Sequence, residues 1–229
     1  MIRHIPGPVG RLEALVDEPD VCTGSALGAD QESAEKPSPV EPRAAVVLAH
    51  PHPLYGGTMH TKVVFQAAKA FCRIGCAVLR FNFRGVGTSE GSFDEGRGEL
   101  ADFRAALDFA ARRYPGAELW AAGMSFGAWV ALTVGVEDDR VAALLAIAPP
   151  LEMYDFGAIR RSLKPKFFIQ GERDLICPLK ALREFYAQLP EPKELVVIDM
   201  ADHLFEGHAS EVGDAVEDLF EDFAAKPPV

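Results

Sequence analysis

The sequence lacks several features that would mark whole classes of protein. Among its 229 residues, no apolar run approaches the roughly 20 residues that span a bilayer, and the first ten residues lack the apolar core of a signal peptide. Positive charge is also in deficit, with a net charge of −11 at pH 7. Such a chain would repel nucleic-acid phosphates. We therefore expect neither a membrane nor a nucleic acid as partner.

Cysteine is scarce, and the four cysteines do not show the paired spacing of a zinc site. Cys72 and Cys76 lie four residues apart, between an expected helix and an expected strand, which predicts side chains packed in the interior. Cys22 and Cys177 stand alone. Thiols rather than disulfides are typical of a reducing compartment, so we expect a cytoplasmic protein.

Apolar strand-like segments alternate with amphipathic helix-like segments along most of the chain. This order predicts the α/β fold class: a mostly parallel, twisted sheet with helices on both faces. We expect one domain over residues 1–229, and the short stretch between Pro150 and Pro165 leaves no room for a cap domain. A mobile loop is predicted at about 18–43, where proline, glycine and small polar residues concentrate.

The expected elements follow from apolar periodicity. The predicted strands are Arg11–Asp17, Ala44–His50, Cys76–Arg84, Glu118–Ser125, Val141–Pro150, Pro165–Asp174 and Lys193–Asp202. The predicted helices are Thr58–Arg73, Glu99–Arg113, one beginning at Phe126, Leu179–Leu189 and Val212–Ala224.

A serine lies at one of these strand-to-helix junctions, in Gly123-Met124-Ser125-Phe126-Gly127. This is the G-x-S-x-G pattern between an apolar strand and a helix, the setting in which it forms a nucleophile elbow. Side chains at the two glycine positions would collide with neighbouring backbone, so glycine lets Ser125 adopt a strained conformation with Oγ exposed. The free N–H groups at the helix start can then face an oxyanion.

A serine nucleophile needs a base and an orienting acid, which follow it in chain order on such a sheet. After Ser125 the only histidines are His203, just past a predicted strand, and His208, which we interpret as a surface residue. His203 is therefore the expected base. Asp174 is the expected acid. It lies in a Gly-x-x-Asp turn just past the apolar strand that precedes the strand of His203. The other carboxylates near strand ends are Glu172, Glu152 and the runner-up, Asp155.

On these residues the sequence resembles the α/β-hydrolase superfamily from about Arg11 onward. The segments "HPHPLYGGTMHTKVV", "RFNFRGVGTSEGSFDEG" and "GMSFGAWVAL" resemble a narrower group of small, capless, dienelactone-hydrolase-like bacterial serine hydrolases. Two positions differ from that pattern. Asn82 replaces the usual Asp of a D-x-R-G-x-G-x-S loop, and Met200 stands where relatives often have glycine. Because the elbow carries serine rather than cysteine, the dienelactone substrate is not implied.

The segment His50–His60, "HPHPLYGGTMH", has two interpretations. Its histidines, with Asp102, could ligate zinc, although zinc needs several well-separated ligands with supporting partners. In a hydrolase this loop supplies an oxyanion donor. Pro51 and Pro53 have no N–H, so the backbone N–H of His52 is the expected donor together with that of Phe126, with Leu54 as the alternative to His52.

We therefore expect a serine hydrolase that cleaves a small acyl ester or thioester through an acyl-enzyme on Ser125, with no cofactor and no metal. The aromatic residues Tyr55, Trp129 and Phe205 are candidates for an apolar substrate pocket, although such residues are as often part of the core. The alternatives are a non-catalytic binding or scaffold protein of the same fold, and a peptidase. The acyl preference and the oligomeric state do not follow from the sequence.

Overall fold

A single eight-stranded sheet organises the described part of the chain, residues 2–19 and 41–223 of a computed structural model. The strands are β1 Ile2–Gly7, β2 Gly10–Asp17, β3 Ala44–Ala49, β4 Ala77–Phe81, β5 Glu118–Met124, β6 Val141–Ile147, β7 Lys166–Gly171 and β8 Lys193–Ile198. Their order in the sheet is β1-β2-β4-β3-β5-β6-β7-β8. The β1–β2 and β2–β4 pairs are antiparallel and all other pairs are parallel, which confirms the predicted, mostly parallel sheet.

Helices cover both faces of this sheet, as predicted. They are α1 Lys62–Arg73, α2 Arg97–Arg113, α3 Phe126–Glu137, α4 Leu179–Ala187 and α5 Ala209–Phe220. One core lies between the sheet and α2, α3 and α4, and a second lies between the sheet and α1 and α5. β3 and β5 are buried along almost their whole length because the sheet is covered on both sides. Among the described residues, none of the helices combines the length and apolar character needed to cross a membrane.

The differences from the predicted elements lie mainly at their ends. Helix α1 begins at Lys62 rather than Thr58, because Thr58 donates its N–H to Thr61 Oγ1 in a turn ahead of the helix. Strand β1 was not predicted. The mobile loop predicted at 18–43 falls mostly, over 20–40, outside the described residues. Cys72 and Cys76 are buried, as expected.

The carboxyl ends of the parallel strands bring the predicted site residues to one edge of the sheet. β3, β5, β7 and β8 are followed by the segments that carry His52, Ser125, Asp174 and His203, respectively. Parallel strands end at a common edge, so four segments distant in sequence become neighbours there. In the described chain, the connection between β6 and β7 holds only a 3-10 turn at Ile159–Arg161, and no separate cap covers this edge.

Candidate active site

Ser125 occupies a sharp turn between β5 and α3. Its backbone lies in the left-handed half of conformational space, at φ 53° and ψ −122°, and its N–H donates to Ile147 O at 2.8 Å. A Cβ added at Gly123 would lie 2.2 Å from Gly127 O, and one added at Gly127 would lie 2.4 Å from His50 O. Both glycines are therefore required for close backbone approach, as the sequence predicted.

The hydroxyl of Ser125 is the first member of a hydrogen-bonded series of three side chains. His203 Nε2 lies 3.0 Å from Ser125 Oγ, and His203 Nδ1 lies 2.8 Å from Asp174 Oδ2. A carboxylate only accepts, so Nδ1 carries the imidazole proton and Nε2 is free to accept the proton of the serine hydroxyl. The structure thus brings together the three residues predicted as nucleophile, base and acid.

Asp174 is held by more donors than the histidine alone. Its Oδ1 accepts the N–H groups of Ile176 at 2.9 Å and Cys177 at 2.7 Å, while Oδ2 accepts from Gln170 Nε2 at 2.9 Å as well as from His203. With four donors on two oxygens, the buried carboxylate has a fixed orientation. Sequence reasoning missed Gln170, although a polar residue directly after the apolar run Phe167–Ile169 was a signal for it.

The alternative acids and base lie elsewhere. Asp155, the runner-up acid, is exposed and its Oδ1 accepts the N–H of Gly157 at 2.7 Å. Glu172 accepts the N–H of Met200 at 3.0 Å, and Glu152 is exposed. His208 is paired with Glu211 at the start of α5. None of these side chains hydrogen-bonds to His203, whose ring bonds to Ser125 and Asp174.

The loop after β3 is fixed at its start by a buried histidine. His50 is completely buried; its Nδ1 donates to Pro51 O at 2.6 Å, and its Nε2 accepts the N–H of Phe83 at 3.1 Å. Burial lowers the pKa of His50 to about 4, so the ring is neutral at pH 7 and holds one tautomer. Sequence reasoning did not foresee this structural role for the ring.

The far end of the same loop is fixed through the backbone of Met59. The N–H of Met59 donates to Asn82 Oδ1 at 2.8 Å, and its carbonyl accepts from Arg80 Nη1 at 2.8 Å. Asn82 Nδ2 in turn donates to Glu13 Oε2 at 2.8 Å. Asn82 stands where the D-x-R-G-x-G-x-S pattern has aspartate. Its side chain thus donates to the Glu13 carboxylate and accepts from the backbone of the loop.

Among the described residues, the backbone N–H groups of His52 and Phe126 have no hydrogen-bond acceptor. The N–H of Leu54, the alternative donor, is taken by His52 Nδ1 at 3.2 Å. The rings of His52 and Phe126 lie 5.0 Å apart, so the loop packs against the elbow. The contacts thus favour His52 over Leu54 as the loop's available donor.

The histidines of this loop do not assemble as metal ligands. Both ring nitrogens of His50 are hydrogen-bonded, and both oxygens of Asp102 bind Arg84, at 2.8 and 3.0 Å. Across the described residues, the ligand-bearing side chains that do cluster are Asp174, Cys177 and His203. Two of these already belong to the series that ends on Ser125.

Aromatic side chains form a continuous patch beside the elbow. Phe126 lies 5.6 Å from the rings of both Trp129 and Tyr154, which stack on each other at 4.6 Å. His52 continues the patch to Tyr55 and Phe93, at 4.8 and 5.0 Å. We call these side chains the aromatic patch. The sequence named Tyr55 and Trp129 but missed Phe93 and Tyr154.

Phe205, the third predicted pocket residue, does not belong to this patch. Its side chain is 0% exposed and packs in the core with Ile198, Ala201 and Val212 of β8, the following loop and α5. The prediction that Phe205 lines a substrate pocket was therefore wrong. The reason is that the loop after His203 packs its apolar side chain against the sheet and α5.

The fold is similar to that of solved α/β serine hydrolases, including one without a lid. A serine hydrolase homologue from Coxiella burnetii has a TM-score of 0.83 and 34% identity, covering 96% of this chain and 97% of its own. An α/β serine hydrolase without lid from Xanthomonas campestris also has a TM-score of 0.83, with 32% identity over 100% and 96% of the two chains.

Sequence comparison places the chain in a family. The model described as serine aminopeptidase, S33, matches residues 40–164, more than half of the chain. An uncharacterised protein of Rickettsia prowazekii is 38% identical over 194 residues, covering 81% of each chain. The protein is therefore a member of this serine hydrolase family, and the resemblance to α/β hydrolases is confirmed.

Proposed function

We propose that this hydrolase cleaves a small acyl ester or thioester through an acyl-enzyme formed on Ser125. The observation that carries the proposal is the series from Ser125 Oγ through His203 to Asp174, with contacts of 3.0 and 2.8 Å. A serine becomes nucleophilic when a neutral imidazole is held ready to take its proton.

Each residue then has a defined task. Ser125 Oγ attacks the acyl carbonyl while His203 Nε2 takes its proton, and Asp174 stabilises the resulting imidazolium. The imidazolium gives this proton to the leaving alcohol or thiol as the bond to the acyl carbon breaks. His203 next activates water, which releases the acid. The N–H groups of His52 and Phe126 stabilise the oxyanion, and loss of one such donor costs about 3 kcal/mol.

The aromatic patch supports an uncharged, apolar acyl group. The family description names aminopeptidases, whose substrates carry a charged amino group beside the bond that breaks. The buried carboxylate of Glu99 is a candidate to bind such an amino group. It already accepts the N–H groups of Asp94 and Gly96, however, at 3.0 and 2.8 Å. Its negative charge is thus satisfied by the backbone, which favours an ester over an aminoacyl substrate.

A cytoplasmic location stays a prediction, supported by the buried thiols of Cys76 and Cys177.

The test combines a covalent probe with a substrate panel. A fluorophosphonate should label the wild type and not Ser125→Ala, while Ser162→Ala is the matched control, since both serines are 8% exposed. Acyl esters and thioesters of graded length, with aminoacyl anilides beside them, then define the substrate. Labelling that survives Ser125→Ala would overturn the proposal. Absence of any Ser125-dependent turnover would favour a binding protein instead.

A further inference from the structure

Gln170 is a buried polar residue near the carboxyl end of an apolar strand. It lies on β7, is 0% exposed, and follows Phe168 and Ile169, which are completely buried in the two cores. Polar side chains are rare at such positions unless their hydrogen bonds are satisfied. Gln170 therefore raises the question of what its amide does.

Both hydrogens of the amide nitrogen are used at the candidate site. Gln170 Nε2 donates to Asp174 Oδ2 at 2.9 Å and to the backbone carbonyl of Cys177 at 2.7 Å. These two acceptors lie at the ends of the turn that carries the acid. The same turn donates the Cys177 N–H to Asp174 Oδ1 at 2.7 Å. The amide thus joins the acid to the segment that follows it.

The other half of the amide has no partner. Among the described residues, Gln170 Oε1 is the one buried side-chain oxygen or nitrogen without a hydrogen bond. Rotating the amide by half a turn would point this oxygen at Asp174 Oδ2 and the Cys177 carbonyl, both of which only accept. An apolar residue here would leave no unpaired carbonyl. The fold thus retains an unfavourable group in order to keep two donors on the turn.

We propose that Gln170 is a positioning residue for the hydrolytic reaction: it fixes the Asp174 carboxylate and limits the charge that this carboxylate presents to His203. The inference rests on the proposed function, since it takes Asp174 as the acid. Gln170 Nε2 and His203 Nδ1 share one oxygen, Oδ2. A donor on that oxygen spreads its negative charge, so the imidazolium is held less strongly than by Asp174 alone.

The surroundings of the carboxylate simplify the expected pH behaviour. The side chains of His203 and Cys177 cluster with this carboxylate, with ligand atoms all within 4.8 Å of one another. Burial raises the pKa of Cys177, and the charges of Asp174 and Glu152 raise it further, so this thiol stays protonated over the working range. A change in the acid limb of the rate profile therefore reports on the pair of His203 and Asp174.

The test uses the full chain and the best ester of the substrate panel. Gln170→Met keeps the length of the side chain and removes both donors. We expect kcat to fall roughly tenfold or more, and the acid limb of kcat/KM to move up by about half a pH unit. Phe168→Leu, a core change on the same strand away from Asp174, is the control for lost stability and should leave the acid limb in place.

A second variant keeps the proposal testable if Gln170→Met does not fold. In Gln170→Glu, the neutral carboxyl donates one hydrogen bond to Asp174 and loses it on ionisation. We expect activity near that of the wild type at low pH and a new basic limb at lower pH than the wild type shows. Lower thermal stability with unchanged kcat and pH profile in both variants would overturn the proposal. If Ser125→Ala stayed active in the same assay, the proposed function itself would fail.

Discussion

His50 Nδ1 donates a hydrogen bond to the carbonyl oxygen of Pro51 at 2.6 Å, and this contact sets the direction of the next peptide group. In a trans peptide the N–H points opposite to the carbonyl, so the N–H of His52 points away from His50. The loop is held further by the Gly57 N–H, which donates to the carbonyl of His52 at 3.1 Å. The His52 N–H is thus positioned by the loop itself before any substrate arrives.

Removing this one N–H group should impair the reaction without disturbing the loop. His52 has φ −56° and ψ 125°, the values that proline adopts, so His52→Pro fits the backbone and deletes the donor. We expect kcat to fall by roughly 10²–10³-fold, with a smaller change in KM, because the oxyanion forms only in the transition state. Steady-state kinetics on an acyl ester measures both.

The matched control for that change is His52→Ala. Both variants lose the imidazole, and with it the acceptor for the Leu54 N–H, but alanine keeps the backbone donor. Turnover of His52→Ala should stay within about tenfold of the wild type. Equal losses in the two variants would show that His52 acts through its side chain, or that Leu54 is the donor.

The neutral state of His50 makes stability depend on pH. Burial lowers its pKa from an ordinary 6.5 to about 4 in the folded protein, so between these values the unfolded chain binds more protons. The free energy of unfolding therefore falls as pH falls from 6.5 towards 4, and His50 contributes no pH dependence above that window. The loss due to His50 is about 2 kcal/mol at pH 5.

Urea unfolding at pH 7 and pH 5 isolates this term when the wild type is compared with His50→Gln. The variant is less stable at pH 7 but should lose about 2 kcal/mol less than the wild type between the two pH values. His60→Gln, which alters an exposed histidine of the same loop, is the control for the loss of an imidazole that is not buried. Parallel behaviour of wild type and His50→Gln would contradict a buried, neutral His50.

Much of this architecture follows from local sequence patterns. The apolar runs that become β3, β5 and β7, and the glycines on either side of Ser125, act on residues close in sequence, so the sheet class and the elbow were predictable. Chain order on a parallel sheet then pointed to Asp174 and His203. The prolines around His52 likewise marked a restricted backbone.

What the sequence did not reveal depends on pairs of residues distant along the chain. The partner of Asn82 is Glu13, and the partner of His50 is the backbone of Phe83. No local periodicity encodes such pairs, because the sheet brings them together only after folding. The pocket prediction for Phe205 was wrong for a related reason: its nearness in sequence to His203 suggested a pocket, whereas folding buries it among residues of β8 and α5.

The contact between Asn82 and Glu13 gives a prediction with a compensating change. In Asn82→Asp the carboxylate at position 82 would face the Glu13 carboxylate across a former hydrogen bond of 2.8 Å. The Thr88 N–H, with the Asn82 amide, lowers the pKa of Glu13, so in the wild type this carboxyl is ionised at pH 7. We expect Asn82→Asp to be less stable by roughly 1–3 kcal/mol at pH 7.

Glu13→Gln in the same chain should restore most of that stability, because a neutral amide can donate to the new carboxylate. The free energies of unfolding of the wild type, both single variants and the double variant give the coupling between the two positions. The destabilisation of Asn82→Asp should also diminish as pH falls and one carboxyl is protonated. Additive effects of the two changes would show that the residues do not interact.

The aromatic patch and Phe205 offer a contrast between binding and packing. Trp129 is half-buried and stacks on Tyr154 at 4.6 Å beside the elbow, whereas Phe205 is 0% exposed in the core. We expect Trp129→Ala to lower kcat/KM roughly tenfold for an apolar acyl ester and much less for an acetyl ester, since only the larger group buries area against the patch.

Phe205→Leu should do the opposite. It removes core volume, so the free energy of unfolding should drop by about 1–3 kcal/mol, while kcat/KM keeps the wild-type ratio between long and short acyl esters at temperatures where the variant is folded. Measuring both variants on the same two esters, with urea unfolding alongside, separates the two roles. A change of acyl preference in Phe205→Leu, with none in Trp129→Ala, would show that the acyl group does not bind against the aromatic patch.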